Sequence, residues 1–242
     1  MMRKDDIIFD DEGRISKIYY DNFIKKTLEL NSKRINIISG DNCYLNDNFI
    51  NDLYKCLSPW HSSNEKIIKI DNFDFTDYCD FYEKLSDLNN TITLFDIVYK
   101  YNSIEELNNL LKSVNINQKF LQYDYDKHVL ECCHVNYKNE LKYYNMKLSI
   151  PECKYFNMIL NSLCIKEDSI MLINFPELGL HCDIQEKLID NILKICGIKL
   201  KQLIVYTQSP SIIINGWNDC VSELLIDDQK DYQLYLKQKG NQ

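Results

Sequence analysis

The stretch Ser169-Ile-Met-Leu-Ile-Asn-Phe-Pro-Glu-Leu-Gly-Leu-His-Cys182 decides how the rest of this chain is read. Four consecutive apolar residues, Ile170 to Ile173, suit a strand buried on both faces of a parallel sheet. Asn174 then supplies a polar residue where such a strand reaches its functional edge, and Pro176 to His181 form the turn that follows. On the N-terminal side, Pro151 to Cys164 predicts an amphipathic helix. On the C-terminal side, Asp183 to Cys196 predicts another, with Ile184, Leu188, Ile192 and Ile195 on roughly one face. A strand at Leu203 to Tyr206 follows, ending at Thr207-Gln-Ser-Pro210, and Trp217 to Ile226 closes with a strand-like piece. The residues after Asp227 are polar and predict a short helix or loose tail.

The first seventy residues repeat the strand-to-helix theme. Ile7 to Phe9 and Ile15 to Tyr20 are apolar runs split by Asp10-Asp-Glu-Gly13, which predicts a hairpin, and Thr27 to Leu30 alternates like a further strand. Ile35 to Ile38 is a short strand ending at Ser39-Gly40. From Asn48 to Leu57, Phe49, Ile50, Leu53 and Cys56 recur at helical spacing. Strand, glycine turn and helix in that order are the geometry of a phosphate-binding loop. The middle is less regular: a strand at Ile67 to Ile70, a helix at Ile104 to Val114 capped by Ser103, and a hairpin around Asp124 to Lys127.

A net charge of −8 without a long basic block gives no support to non-specific phosphate binding. Lys25, Lys26, Lys33 and Arg34 form the one local basic group and read first as a solvated loop and edge, with a DNA-binding face as the less favoured reading. Met1 to Asp6 leads into no apolar signal segment and no run reaches membrane-spanning length, so a cytoplasmic location and no membrane contact are expected. In that compartment the ten cysteines are expected to be small apolar fillers. Cys132-Cys133-His134 lacks a second ligand pair at zinc spacing, and no metal site is expected. Asp5-Asp6, Asp10-Asp11 and Asp227-Asp228 read as solvated turns rather than a nuclease metal cluster.

Four stretches in order along the chain resemble the motifs of ATP-binding-cassette ATPases, closest to the branch that holds the RecF, SMC and OLD-like proteins. The resemblance covers about Ile15 to Leu225. In the family the core strand ends Asp-Glu-Pro-Glu-Leu-Gly-Leu-His-Pro; here Pro176 to His181 match, while Asn174 and Phe175 replace the two carboxylates. The family's phosphate loop, Gly-x-Asn-Gly-x-Gly-Lys-Ser/Thr, corresponds to Gly40-Asp41-Asn42-Cys43-Tyr44-Leu45-Asn46-Asp47. Gly40 and Asn42 are kept. Cys43 and Leu45 stand at glycine positions, Asn46 lacks the lysine charge, and Asp47 sets an anion where a magnesium-binding hydroxyl belongs. Leu148-Ser-Ile-Pro-Glu152 resembles the signature Leu-Ser-x-Gly-Glu/Gln: Ser149 is retained, but Pro151 has no N–H to donate. Thr207-Gln-Ser-Pro210 resembles the switch Thr-His-Ser-Pro, with Gln208 in place of histidine.

The resemblance implies a three-layer α/β P-loop NTPase core with an antiparallel β part near the N-terminus. It implies one domain over 1–242, with an inserted lobe at about 67–144 and a polar tail at about 227–242. Gly40, Asn42, Asn46, Asp47, Asn174 and Gln208 are the degenerate nucleotide-site positions, and Ser149 the degenerate signature. Phe175 cannot accept a proton and Asn174 carries no charge, so a catalytically inactive domain acting as a binding or assembly subunit is expected, in prokaryotic anti-phage defence or DNA maintenance. Its partner would be a second copy, an active ATPase or an effector such as a nuclease, with DNA reached only through the complex and no cofactor of its own. The alternative is a nucleotide-binding regulator or slow ATPase that holds Mg-ATP in a site completed by a partner. Glu177 as a substitute base is the less favoured reading, because it belongs to the turn.

Overall fold

The turn Asp10 to Gly13 folds β1 (Ile7–Phe9) antiparallel onto β2 (Ile15–Asp21), as its sequence predicts. Oδ1 of Asp10 accepts from the backbone N–H of Glu12 and Arg14 at 3.0 and 2.8 Å, and Gly13 takes the left-handed conformation the turn requires, with φ +71°. β3 (Lys25–Glu29) completes a three-stranded antiparallel sheet in the order β1-β2-β3. The computed structural model describes residues 2–21, 25–30, 34–40, 49–58, 66–70, 76–90, 97–101, 103–135, 141–143, 148–214 and 216–224. The loop positions Asn42, Asn46 and Asp47 and the tail at 227–242 lie outside the described residues.

β4 (Ile35–Gly40) leads toward α1 (Phe49–Leu57), and β5 (Ile67–Ile70) follows. Next come α2 (Thr76–Asn90), α3 (Ile104–Ser113), β6 (Lys119–Asp124), β7 (Val129–Val135), β8 (Leu141–Tyr143) and α4 (Ile150–Leu163). The chain then forms β9 (Ser169–Asn174), α5 (Cys182–Cys196), β10 (Leu200–Thr207), α6 (Pro210–Ile214) and β11 (Val221–Leu224). Three of these escape the sequence patterns: α2, β8 and α6. α2 is the instructive one, because its fifteen residues carry three Asp and two Asn, which compete with the helix backbone.

The chain divides into two compact units: Met1–Asp71 with Lys166–Glu177 and Ile198–Gln242, and Asn72–Ile165 with Leu178–Gly197. The first holds a mixed α/β arrangement around a five-stranded sheet of order β11-β4-β10-β9-β5, in which every neighbouring pair is parallel. The apolar run of β9 is buried along its whole length. One face of the sheet, with Ile38, Ile170, Leu172, Ile204 and Tyr206, joins a core with Phe49, Ile50 and Leu53 of α1 and Ile15, Ile18 and Leu28 of the antiparallel sheet. The residues of the opposite face, Ile37, Met171, Ile173, Leu203 and Val205, are equally buried. A fully buried glutamine ties the two sheets of this unit: Gln202 Nε2 donates to the carbonyl of Ile15 and its Oε1 accepts from the Ile15 N–H, both at 2.8 Å.

The second unit has its own sheet, β6-β7-β8, antiparallel throughout, with helices α2 to α5. Ser103 caps α3 as expected, accepting from the Glu106 N–H at 3.1 Å. A two-residue turn at Asn117 and Gln118, with φ of +51° and +62°, closes a pair of hydrogen bonds between Ile116 and Lys119, the pattern of a type I′ hairpin turn. The buried hydroxyl of Tyr155 on α4 donates to the carbonyl of Val114 at 2.7 Å and accepts from Asn191 of α5 at 2.9 Å.

Candidate functional site

In the first unit the neighbouring strands β4 and β10 send their connections in opposite directions, β4 toward β5 at one edge of the sheet and β10 toward β11 at the other. Open α/β sheets place ligand crevices at carboxyl ends where such directions reverse. The residues at that edge are Ser39 and Gly40 of β4, Asn174 of β9, and Thr207 and Gln208 at the end of β10. Asn174 stands level with Tyr206, and Ser39 level with Thr207. Three of the sequence-predicted positions, Gly40, Asn174 and Gln208, are therefore brought to one sheet edge.

Asn174 is 4% exposed, and its Oδ1 is buried without a hydrogen-bond partner. Nε2 of Gln208 is likewise buried and unpartnered. An unsatisfied buried amide costs about 1–3 kcal/mol, so the edge carries one acceptor and one donor that apolar residues would dispense with.

Phe175 turns away from any solvent-facing role. Its φ of +45° places a non-glycine residue in the left-handed region, a backbone conformation of the kind that concentrates at functional sites. Its N–H donates to the Tyr206 carbonyl at 2.8 Å, and its ring meets the Tyr206 ring edge-on at a centroid distance of 4.9 Å. With 6% exposure it belongs to the core of its unit. The position matched to the family's catalytic carboxylate is thus a packing anchor.

Glu177 is the edge residue whose role the sequence understated. Its Oε2 accepts from Thr207 Oγ1 at 2.7 Å and its Oε1 from the Gln208 N–H at 2.8 Å. Thr207 Oγ1 in turn accepts from the Ser209 N–H at 3.0 Å. Both carboxylate oxygens are engaged in latching the end of β10. Among the described residues the donor set does not suit Mg2+, which favours hard anionic oxygen: Asn174 offers a neutral amide, Phe175 offers nothing, and Glu177 is engaged.

Ser149 lies in the second unit, exposed, as the N-cap residue of α4. Its N–H donates to Glu152 Oε2 at 2.8 Å. Pro151 sits in the first turn, where an absent N–H costs the helix nothing. Glu152 is 4% exposed and is gripped by Lys119 Nζ at 2.7 and 2.8 Å and by Asn117 Nδ2 at 3.3 Å. Burial pushes the Glu152 carboxyl up, but Lys119, the Ser149 N–H and Asn117 together hold it below the usual glutamate value. The type I′ turn that aims Asn117 and Lys119 at Glu152 left no recognisable sequence signal, since Asn-Gln lacks the glycine that marks such turns.

Arg34 of the basic group donates from Nε to the Leu200 carbonyl at 2.8 Å, a structural contact, while the side chains of Lys25, Lys26 and Lys33 are outside the described residues. Cys132, Cys133 and His134 alternate along β7, with Cys133 buried and its two neighbours half-buried. Burial pushes the Cys132 thiol up to about 12 and the Cys133 thiol up to about 11, as befits packing residues. Among the described residues no helix is long and apolar enough to cross a membrane.

No family model matches the chain, and no curated protein matches it. Stu0660 of Streptococcus thermophilus is similar in structure, 15% identical, covering 86% of this chain and 74% of its own length, with a TM-score of 0.45. A protein described as a putative ABC transporter ATP-binding protein from Pyrococcus furiosus is 13% identical, covering 92% of this chain and 96% of its own, also at 0.45. At such scores the likeness carries no argument of its own.

Proposed function

We propose that this chain is an ATP-binding-cassette-like domain that no longer hydrolyses ATP and serves as a binding or assembly subunit of a larger complex. The observation that carries this reading is the edge of β9. Asn174 is neutral there, and Phe175 is folded into the core beside Tyr206, where no substituted carboxylate would reach water. Losing one catalytic group commonly costs orders of magnitude in rate, and groups that act together fail together. The sequence adds the losses at Leu45, Asn46, Asp47, Pro151 and Gln208. Its partner is a second copy of the chain, an active ATPase or an effector such as a nuclease, and DNA is reached only through that complex. The resemblance to the RecF, SMC and OLD-like branch supports prokaryotic anti-phage defence or DNA maintenance as the setting, by analogy of fold.

A surface for such a partner is suggested beside the signature stretch. Ile150 is 44% exposed and Leu178 51%, and Lys154, one turn on from Ile150, donates to the Leu178 carbonyl at 3.2 Å. Co-expression with the products of adjacent genes, followed by size-exclusion chromatography, tests the proposal. A stable stoichiometric complex supports it, and a solitary monomer that joins none of them counts against it.

The second reading, a nucleotide-binding regulator completed by a partner, is favoured by the unpartnered Asn174 Oδ1 and Gln208 Nε2. Calorimetry with Mg-ATP decides it: heat that appears only with the partner supports a composite site, and no heat in either mixture eliminates it.

A further inference from the structure

The end of the same stretch that decides the fold carries a separate cluster. His181, Cys182 and Asp183 open α5, all three are exposed, and with one ligand atom from each the donors lie within 4.8 Å of one another. Nδ1 of His181 is 3.7 Å from Sγ of Cys182 and 3.5 Å from Oδ2 of Asp183, and Sγ is 3.5 Å from Oδ1 of Asp183. Zinc bonds of about 2.0–2.3 Å at tetrahedral angles set neighbouring ligand atoms roughly 3.3–3.6 Å apart. The carboxylate presents a different oxygen to each neighbour, and rotation about its last torsion, which is broad in aspartate, brings one oxygen toward both.

We propose that His181, Cys182 and Asp183 form an exposed three-ligand zinc site whose fourth vertex is open to water or to a donor from another molecule. Imidazole, thiolate and carboxylate are the three ligand types zinc takes, and the thiolate selects against Mg2+ and Ca2+. Binding exchanges the thiol proton for the metal: the S–H bond breaks, an S–Zn bond forms and one proton passes to solvent. Thiolate and carboxylate together neutralise the divalent charge, which offsets the opposing positive end of the helix. The start of α5 does not depend on the His181 ring. The His181 carbonyl accepts from Ile184 and Gln185 N–H groups at 3.0 and 3.1 Å, and Gln185 Nε2 donates to the Leu180 carbonyl at 2.7 Å. Giving up the long 3.4 Å contact from the Asp183 N–H to Nδ1 therefore leaves the helix held. Structural zinc spacing patterns describe four convergent protein ligands; three contiguous ones with an open vertex fall outside that pattern. The site is independent of the ATPase-like reading.

Cobalt(II) titration of the full chain, followed by its thiolate charge-transfer band, tests the proposal, with Cys182→Ser and His181→Ala as comparisons. Both positions are exposed, so unchanged melting of the metal-free variants confirms their folding. The expected result is a band that saturates at one equivalent, is displaced by zinc, is absent in Cys182→Ser, and forms with at least about tenfold weaker affinity in His181→Ala. No band in the parent chain overturns the proposal. So does an undiminished band in Cys182→Ser, which assigns the metal to other cysteines, or full affinity in His181→Ala.

Discussion

Phe175 and Glu177 sit two residues apart at the end of one strand, and on the proposed reading neither serves as a base. Phe175 is inside the core of its unit against Tyr206, so placing a carboxylate there buries a charge instead of restoring a catalyst. Phe175→Glu is expected to destabilise the chain by about 3–5 kcal/mol in denaturant unfolding, from lost ring packing and an unpaired charge, and to gain no ATP turnover. Glu177 holds the end of β10 through Thr207 and the Gln208 N–H. Glu177→Ala is expected to cost about 2 kcal/mol and Glu177→Gln less, since the amide keeps one acceptor but loses the charge that strengthens both bonds. A base would show the reverse pattern, lost activity at unchanged stability. Pro176 and Glu177 were readable from sequence as a turn, but the partners of Glu177 lie thirty residues further on, beyond the reach of local pattern.

The strands were legible because their apolar runs are short and sharply bounded: Ile35 to Ile38, Ile67 to Ile70, Ile170 to Ile173 and Leu203 to Tyr206 all became strands of one parallel sheet. α2 was not legible because Phe81 and Leu88, the buried apolar residues among its described side chains, are seven positions apart amid Asp and Asn. The hairpin turn at Asn117 and Gln118 was hidden as well, and it delivers Lys119 to Glu152 at the start of α4. Because the folded Glu152 carboxyl lies below its unfolded value of about 4.3, its contribution is present above that pH and is lost as pH falls through the folded value. Stability measured from pH 6 down to pH 3, a window of roughly three units around carboxylate titration, is expected to fall more steeply for the parent chain than for Glu152→Gln. Lys119→Ala is expected to cost about 3 kcal/mol at neutral pH, because it strands a buried carboxylate. Equal acid slopes for parent and Glu152→Gln would remove Glu152 as a source of pH dependence.

At the scale of the molecule, a parallel sheet with opposed connections places Gly40, Asn174 and Gln208 along one edge, and those three residues carry no charge there. The proposed loss of catalysis rests first on sequence, because the type of residue at a motif position is visible without coordinates. What sequence could not state is where these side chains are used: the replacement Phe175 points into the core, while the matching Glu177 and Ser149 hold β10 and cap a helix. On the proposed reading the surface carries the function. Ile150→Asp, at an exposed apolar position, is expected to weaken the partner complex at least about tenfold while leaving stability within about 0.5 kcal/mol. The most direct test of the central claim is phosphate release from Mg-ATP by the purified chain, compared with its Asn174→Ala variant. The account predicts no release above the uncatalysed rate in either protein. Turnover by the parent chain that Asn174→Ala abolishes would contradict it.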